Sequence, residues 1–150
     1  SSDFIVGFPG ETETDFQATL DLVRTVAFAQ AYSFKYSPRP GTPASGAADA
    51  VPETVKSERL ARLQDAILEG QMRFNQASVG TVVPVLFDRA GSRPGQLHGR
   101  SPHMQSVHAA APAHLLGQIV PVRIADGRAL SLTGELADDT PLGEPCGMVA

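Results

Sequence analysis

Two short segments hold the side chains best suited to chemistry. The first is GFPGE, residues 7–11, standing between an apolar run and a helix-like stretch. Gly7 and Gly10 would let a ligand approach the backbone, and a helix start offers free amides to an anion. A tight turn that needs Gly and Pro explains the same residues, and spacing alone favours the turn. No Gly-Lys-Ser/Thr follows, so the segment is not a phosphate-cradling P-loop. The second is YSPRPGTPA, residues 36–44. Arg39 lies between Pro38 and Pro40, and stiff placement suits an Arg that must meet a carboxylate, a phosphate or a nucleobase. An exposed loop Arg is an equally good reading. Tyr36 has the ring to stack on a ligand, though an aromatic at strand spacing more often enters a core.

The later part of the chain offers charge rather than catalysis. The net charge of −4 argues against nucleic acid as a partner, but the charge is uneven. Residues 1–78 balance at −3, residues 79–136 at +2 with all four histidines, and residues 137–150 at −3. The basic block is compatible with RNA contact without demanding it. There Arg100 and Arg123 are the candidates for phosphate, while His103 and His108 could stack on or hydrogen-bond to RNA. Phe87 is the only aromatic from residue 79 onward, which counts against a stacking platform. No two of His98, His103, His108 and His114 stand at a zinc spacing with cysteine or acid partners, so surface polar positions are expected and no metal ligand set is assigned. Cys146 is the only cysteine and reads as inert. Asp138 and Asp139 make no dyad, and no catalytic residue is assigned.

These residues need elements to hold them. A length of 150 residues, 42% hydrophobic and 19% charged, fits an ordinary soluble globular protein of one domain or two small ones. No apolar run approaches the ~20 residues of a membrane span, and no signal peptide is visible, so the expected address is the cytoplasm. Residues 3–8 read as a strand buried on both faces. A helix follows, with Thr12 and Asp15 as a capping box and Phe16, Leu20, Val23 and Ala27 as its stripe. Residues 31–37 alternate as a second strand with Tyr32, Phe34 and Tyr36 on one side, giving a right-handed βαβ unit. Residues 38–51 form a loop. A long helix starts near Pro52, with Leu60, Leu63, Ile67 and Phe74 apolar, acid–base pairs four apart such as Glu58 and Arg62 on its wet side, and a stop at Gly80. Five short strands are expected at residues 81–87, 96–101, 105–109, 118–125 and 130–136, in a small barrel of the OB kind. Pro84 and Pro121 should lie at an edge or a bulge. The division expected is residues 1–78, residues 79–137, and a flexible tail over 138–150.

Taken in order, DFIVGFPGET, FKYSPRPGTPA, VPETVKSERLARLQ, GRS at residues 99–101 with QSVHA after it, and GQIVPVRI resemble the bacterial tRNA methylthiotransferases of the MiaB type across residues 1–136. The resemblance implies an α/β plus all-β architecture. Its parts are a βαβ remnant of a radical S-adenosylmethionine partial TIM barrel, a long connecting helix, and a five-stranded antiparallel OB-like TRAM barrel that binds RNA. It implies an enzyme that adds a methylthio group to carbon two of N6-isopentenyladenosine beside the anticodon. S-adenosylmethionine and two 4Fe-4S clusters would be its cofactors, and the tRNA anticodon stem-loop its partner. By the same resemblance Gly7, Phe8, Pro9 and Gly10 line the S-adenosylmethionine side of the barrel mouth, and Tyr36 and Arg39 sit on the next strand end. That requires Phe8 and Arg39 to follow the same ends of neighbouring strands. Arg100 and Arg123, with His103 and His108, would hold the RNA. One cysteine cannot ligate a cluster. The chain also opens on Ser1. A C-terminal piece, inactive alone, monomeric and free of membranes, is therefore expected. Two related types act on an aspartate of a ribosomal protein or on threonylcarbamoyl-adenosine in tRNA. A purely RNA-binding module with a vestigial βαβ unit is the reading of a different class. The family often has an Asn before the last barrel strand, where this chain has Ala129-Leu130-Ser131-Leu132.

Overall fold

The structure is a computed structural model in which residues 1–137 are described. The expected flexible tail, with Cys146, Asp138 and Asp139, lies outside them. The chain divides into two compact units, the first Ser1–Gln71 and the second from Met72 onward.

The first unit contains β1 (Ser2–Val6), α1 (Glu13–Val26), β2 (Ala31–Lys35) and, up to Gln71, the long helix α2 (Glu53–Ala77). β1 and β2 pair in parallel, from Ser2 opposite Ala31 to Val6 opposite Lys35, with α1 as the crossover. α1 starts as its sequence dictates. The Asp15 amide donates to Thr12 Oγ1 at 3.2 Å, and the Thr12 amide donates to Asp15 Oδ2 at 2.9 Å, so two otherwise orphan donors satisfy each other. It ends one residue earlier than its stripe suggests. Ala27 is left-handed, with φ 50°, and caps the helix through its amide on Val23 O rather than extending the apolar face. Phe16, Leu20 and Val23 pack with Val6, Ala31, Leu63, Ala66 and Ile67 as the core. Only one face of the sheet is covered. Ile5, Tyr32 and Phe34 on the other face are each more than half exposed, so the expected burial of the first strand on both sides is not met within this chain. A single helical layer can cover one face of a sheet and no more.

The second unit is a closed barrel of five strands: β3 (Val82–Ala90), β4 (Gln96–Arg100), β5 (Ser106–Ala110), β6 (Ile119–Gly127) and β7 (Leu132–Leu136). Around the ring the order is β3-β4-β5-β7-β6. All pairs are antiparallel except β5 and β7, which run parallel. The barrel is therefore mixed, not antiparallel as the resemblance implied. The reason is parity. Directions that alternate around an odd ring cannot match where it closes, so a five-stranded barrel needs at least one parallel seam. Inward residues fill it: Val85, Phe87, Leu97, Val107, Val122, Ile124 and Leu132 are all buried.

Two prolines sit on stretches of strand that are paired on one side only. Pro84 and Pro121 lie opposite each other in the β3–β6 ladder, which is regular; the irregularities fall in the neighbouring ladders, between Phe87 and Arg89 in β3–β4 and between Ile124 and Asp126 in β6–β7. Facing prolines must occupy a pair that exchanges no amide bonds across the two strands. Their donorless nitrogens then turn toward the outer neighbours, whose pairing begins only at Leu86 and Val122. Each proline thus lies at a local edge, as expected, and the two face each other across the ladder they share.

The barrel is closed at one end by a polar plug from the last turns of α2. Buried Asn75 donates through Nδ2 to the carbonyls of Arg128 (2.6 Å) and Ala129 (3.2 Å), and accepts from Gln105 Nε2 at 2.7 Å. Gln105 in turn accepts from Ser101 Oγ at 2.8 Å. Gly99 marks a second constraint, since a Cβ there would stand 2.5 Å from the Leu86 carbonyl oxygen. Backbone cannot retreat as a side chain can. Gly99→Ala should lower the barrel's stability by about 1–3 kcal/mol, read as an earlier urea midpoint for the full chain. An unchanged midpoint would show that the strand pair is looser than its geometry.

Candidate functional site

Parallel pairing of β1 and β2 sends both following loops off the same end of the sheet. The loops share a device. Phe8-Pro9-Gly10-Glu11 is closed by the Glu11 amide on Phe8 O at 2.9 Å, and Arg39-Pro40-Gly41-Thr42 by the Thr42 amide on Arg39 O at 3.2 Å. Gly10 and Gly41 both have φ 83°. With Pro second and a left-handed Gly third, each is a type II turn. The turn explains Pro9 and Gly10 in full. Phe8 and Tyr36 meet across the two loops as an edge-to-face pair, with ring centroids 5.1 Å apart. Arg39 is exposed on its turn. Gly7, Phe8, Pro9, Gly10, Tyr36 and Arg39 thus all stand at one edge, though only Phe8 and Tyr36 touch as side chains.

Four of the amides expected to greet an anion there are taken. Gly7 N–H donates to the Glu11 carboxylate and Gly10 N–H to Asp49 O at 2.9 Å, while Thr12 and Asp15 serve the capping box. Gly7 is not open to a ligand either, because the Lys56 stem fills the space beside it. Lys56 and Arg59 are the residues that sequence reasoning missed at this edge. Both sit on the apolar stripe of α2 and both are buried. A charge on a stripe that reads as core was the available signal. Lys56 Nζ lies 5.6 Å from the Tyr36 ring centre. Arg59 Nη1 donates to Glu11 O at 3.0 Å and to Glu11 Oε2 at 2.9 Å, clamping the turn from beneath. The Tyr36 hydroxyl is buried without a hydrogen-bond partner. This edge therefore offers a bare hydroxyl and an aromatic pair on a rigid turn.

In the second unit the outward residues of β3, β4 and β5 gather in cross-strand rows. Arg89 stands opposite His98, and His98 opposite His108. Leu86 stands opposite Arg100, and Arg100 opposite Ser106. The irregularity after Phe87 frees Asp88 to turn its carboxylate onto His98, with Oδ1 3.0 Å from Nδ1. His98 is buried although it faces outward. His108 packs edge-on against it, with ring centroids 4.9 Å apart. His103 lies apart in the β4–β5 hairpin, against the ring of Phe74 at 5.2 Å. Arg123 is on β6 opposite Val82, four residues along β3 from the Leu86 position that faces Arg100, or about 13 Å along the strand. The barrel brings Arg100 and His108 onto one face and leaves Arg123 distant from them. Asp88, Arg89, His98 and Ser106 join that face unannounced by sequence, since no spacing rule places a bulge. Among the described residues, no group of three or more His, Cys, Asp or Glu is placed to hold a metal ion, and no helix is long and apolar enough to cross a membrane.

Titration of this face has a definite sign. The hydrogen bond from His98 holds Asp88 below the usual carboxylate range. Burial, then the neighbouring His98 and Arg89, lowers the His108 pKa. A lowered histidine contributes stability that is present above its ordinary value of 6.5 and is lost as pH falls through the folded value. The lowered Asp88 acts in the same direction, below its ordinary 3.8. The urea midpoint of the barrel should therefore fall between pH 7 and about pH 5, and His108→Gln should flatten that fall. A midpoint that rises on acidification would reverse the assignment.

Residues 76–137 match the TRAM domain family. A tRNA-2-methylthio-N(6)-dimethylallyladenosine synthase of Maricaulis maris (strain MCS10) is 55% identical over 136 residues. The match covers 91% of this chain, which spans only 30% of the length of that relative. Residues 76–137 therefore carry a TRAM domain, and the chain is similar over most of its length to part of a tRNA-2-methylthio-N(6)-dimethylallyladenosine synthase.

Proposed function

We propose that the chain is the C-terminal part of a tRNA methylthiotransferase. The whole enzyme would add a methylthio group to carbon two of N6-isopentenyladenosine beside the anticodon. Residues 1–78 would be the end of its radical S-adenosylmethionine barrel with the connecting helix, and residues 79–137 the TRAM domain that holds the anticodon stem-loop. The observation that carries this reading is the shared edge of β1 and β2, where Phe8, Tyr36 and the Arg39 turn converge. Ligands of parallel α/β sheets bind outside the carboxyl ends of strands. The uncovered face of Ile5, Tyr32 and Phe34 supports a larger sheet or barrel around this unit.

The residues present fit S-adenosylmethionine in part. Phe8 and Tyr36 suit a purine ring, and the unpartnered Tyr36 hydroxyl suits one of its polar atoms. Bound there, the cofactor would supply the radical and the methyl group. The protein's share is to hold Phe8 and Tyr36 rigid through the Glu11–Arg59 clamp and the paired Pro-Gly turns. The clusters do not fit this chain, because a 4Fe-4S cluster takes four thiolates and the sequence has one cysteine. Cluster ligands would have to come from outside these residues, and the chain alone should turn over no substrate.

In an intact relative, replacing the arginine equivalent to Arg39 by Ala should reduce turnover by about 100-fold or more, since a misplaced positioning group costs on that order. Analysis of the modified nucleosides in the tRNA reads it out and also separates isopentenyl from threonylcarbamoyl substrates. Unchanged turnover removes Arg39 from the site. For RNA, Arg123→Gln in the full chain should weaken binding of an RNA stem-loop and reduce the salt slope by up to about 0.9. An unchanged slope removes Arg123 from the interface.

A further inference from the structure

The outer face of β3–β5 holds a hydrogen-bonded chain whose polarity can be fixed residue by residue. A carboxylate only accepts, so His98 Nδ1, 3.0 Å from Asp88 Oδ1, carries the proton. A guanidinium only donates, so His98 Nε2, 3.2 Å from Arg89 Nη2, is the acceptor. Ser106 Oγ is 3.3 Å from the same Nε2 and accepts from Arg100 Nη1, also at 3.3 Å. Arg100 Nη1 is further held by Met104 O at 3.1 Å. Every donor thus points toward Asp88: Arg100 to Ser106, Ser106 and Arg89 to His98, and His98 to the carboxylate. Donors aligned in one direction polarise one another.

Two guanidiniums from adjacent strands converge on this neutral acceptor pair. Asp88 is held behind the imidazole, on its far nitrogen, and burial disfavours the charged form of His108. Each guanidinium has five N–H donors and the chain occupies only some of them, so forks remain for a bidentate partner. The adjacent surface is partly apolar, with Leu86 and Ile119 opposite each other and well exposed.

We propose that Arg89 and Arg100 form one seat for a single backbone phosphodiester of bound RNA, and that Asp88, His98 and Ser106 are positioning residues that aim the two arginines at it. The proposal rests on the reading of the barrel as an RNA-binding module and goes beyond it by naming the phosphate seat and its scaffold. Arg123 is outside the seat.

The test is fluorescence anisotropy of the full chain with an end-labelled synthetic RNA stem-loop over a series of chloride concentrations. Arg89→Gln and Arg100→Gln should each weaken binding by roughly 5–10-fold and flatten the salt dependence. The double variant should lose less than the product of the two, because both serve one phosphate. His98→Leu should behave like Arg89→Gln. His98→Gln, which can still donate to Asp88 and accept from Arg89, should stay within about 2-fold of the parent chain. A merely structural His98 would make both His98 variants fail alike and leave Arg89→Gln silent. The tautomer can be read without any variant: nitrogen chemical shifts of His98 should show a protonated Nδ1 and a bare Nε2, and a protonated Nε2 overturns the proposal. Inorganic phosphate at matched ionic strength is the second arm. Displacement of RNA by millimolar phosphate would assign the seat to a free anion and overturn the RNA assignment. If the parent chain binds no RNA, the RNA-binding reading itself fails. If it binds RNA and the double variant binds equally well, only the seat fails.

Discussion

Two parallel neighbours cannot be joined by a tight turn, because the chain must first return to the end from which it started. That constraint shapes both units. In the first, the return is α1, and its cost is a whole helix with its own cap and core. The gain is that the loops after β1 and β2 leave from one edge, so that residues 7–11 and 36–42, far apart in sequence, stand side by side. In the second, the seam between β5 and β7 forces the chain out along β6 and back, and β6 then has a free side on which to meet β3. Without that seam the ring of five does not close. The β3–β4 and β4–β5 ladders of that ring make Arg89, His98 and His108 neighbours on its outer wall.

Buried polar groups stabilise the ends of these frames. Arg59 and Glu11 keep only 6% and 11% of their side chains exposed, so neither charge can rely on water. Such a pair adds little net stability against an apolar replacement, yet removing one partner strands the other. What it contributes is a fixed geometry: a guanidinium held by both the carboxylate and the carbonyl of Glu11 leaves the Pro-Gly turn one place to sit. Asn75 plays the neutral version of this part. Its amide meets two carbonyls of the β6–β7 turn and the amide of Gln105, and Ser101 completes the set. Here all partners are neutral, so desolvation is cheaper and the hydrogen bonds carry more of their value.

Local patterns in the sequence were legible wherever one element decides the outcome. The Thr12–Asp15 box and the Phe16, Leu20 and Val23 stripe each depend on spacing within a few residues. Ala27 misled because its position continues the stripe while its conformation ends the helix, and Ala has no chemistry that announces a left-handed cap. Strand directions lay beyond local reading. The parallel seam is a property of the ring and not of any strand. Pro84 and Pro121 each argued for an edge and each lies where its strand is paired on one side only, but that they face each other is a matter of register. Of the site residues, the loops at residues 7–11 and 36–42 were found by composition. The Arg89–His98–Ser106 group was hidden, because its members come from three strands and are brought together by an irregularity at Asp88.

The same contrast shows how an acidic chain can present a basic face. The net charge of −4 is an average over the whole molecule, while a phosphate at the barrel wall senses charges within about a Debye length. On the β3–β5 face burial lowers the pKa of His108, and the one carboxylate, Asp88, is turned onto Nδ1 of His98. Its field is partly spent on orienting that ring, and the ring's opposite nitrogen faces the arginines. The wall thus keeps two cations forward and their nearest anion behind a dipole aligned with it. Bulk charge counting misses this because it has no direction. The register of three strands and one bulge supplies the direction, and that register in turn follows from closing five strands around Phe87, Val107 and Leu132.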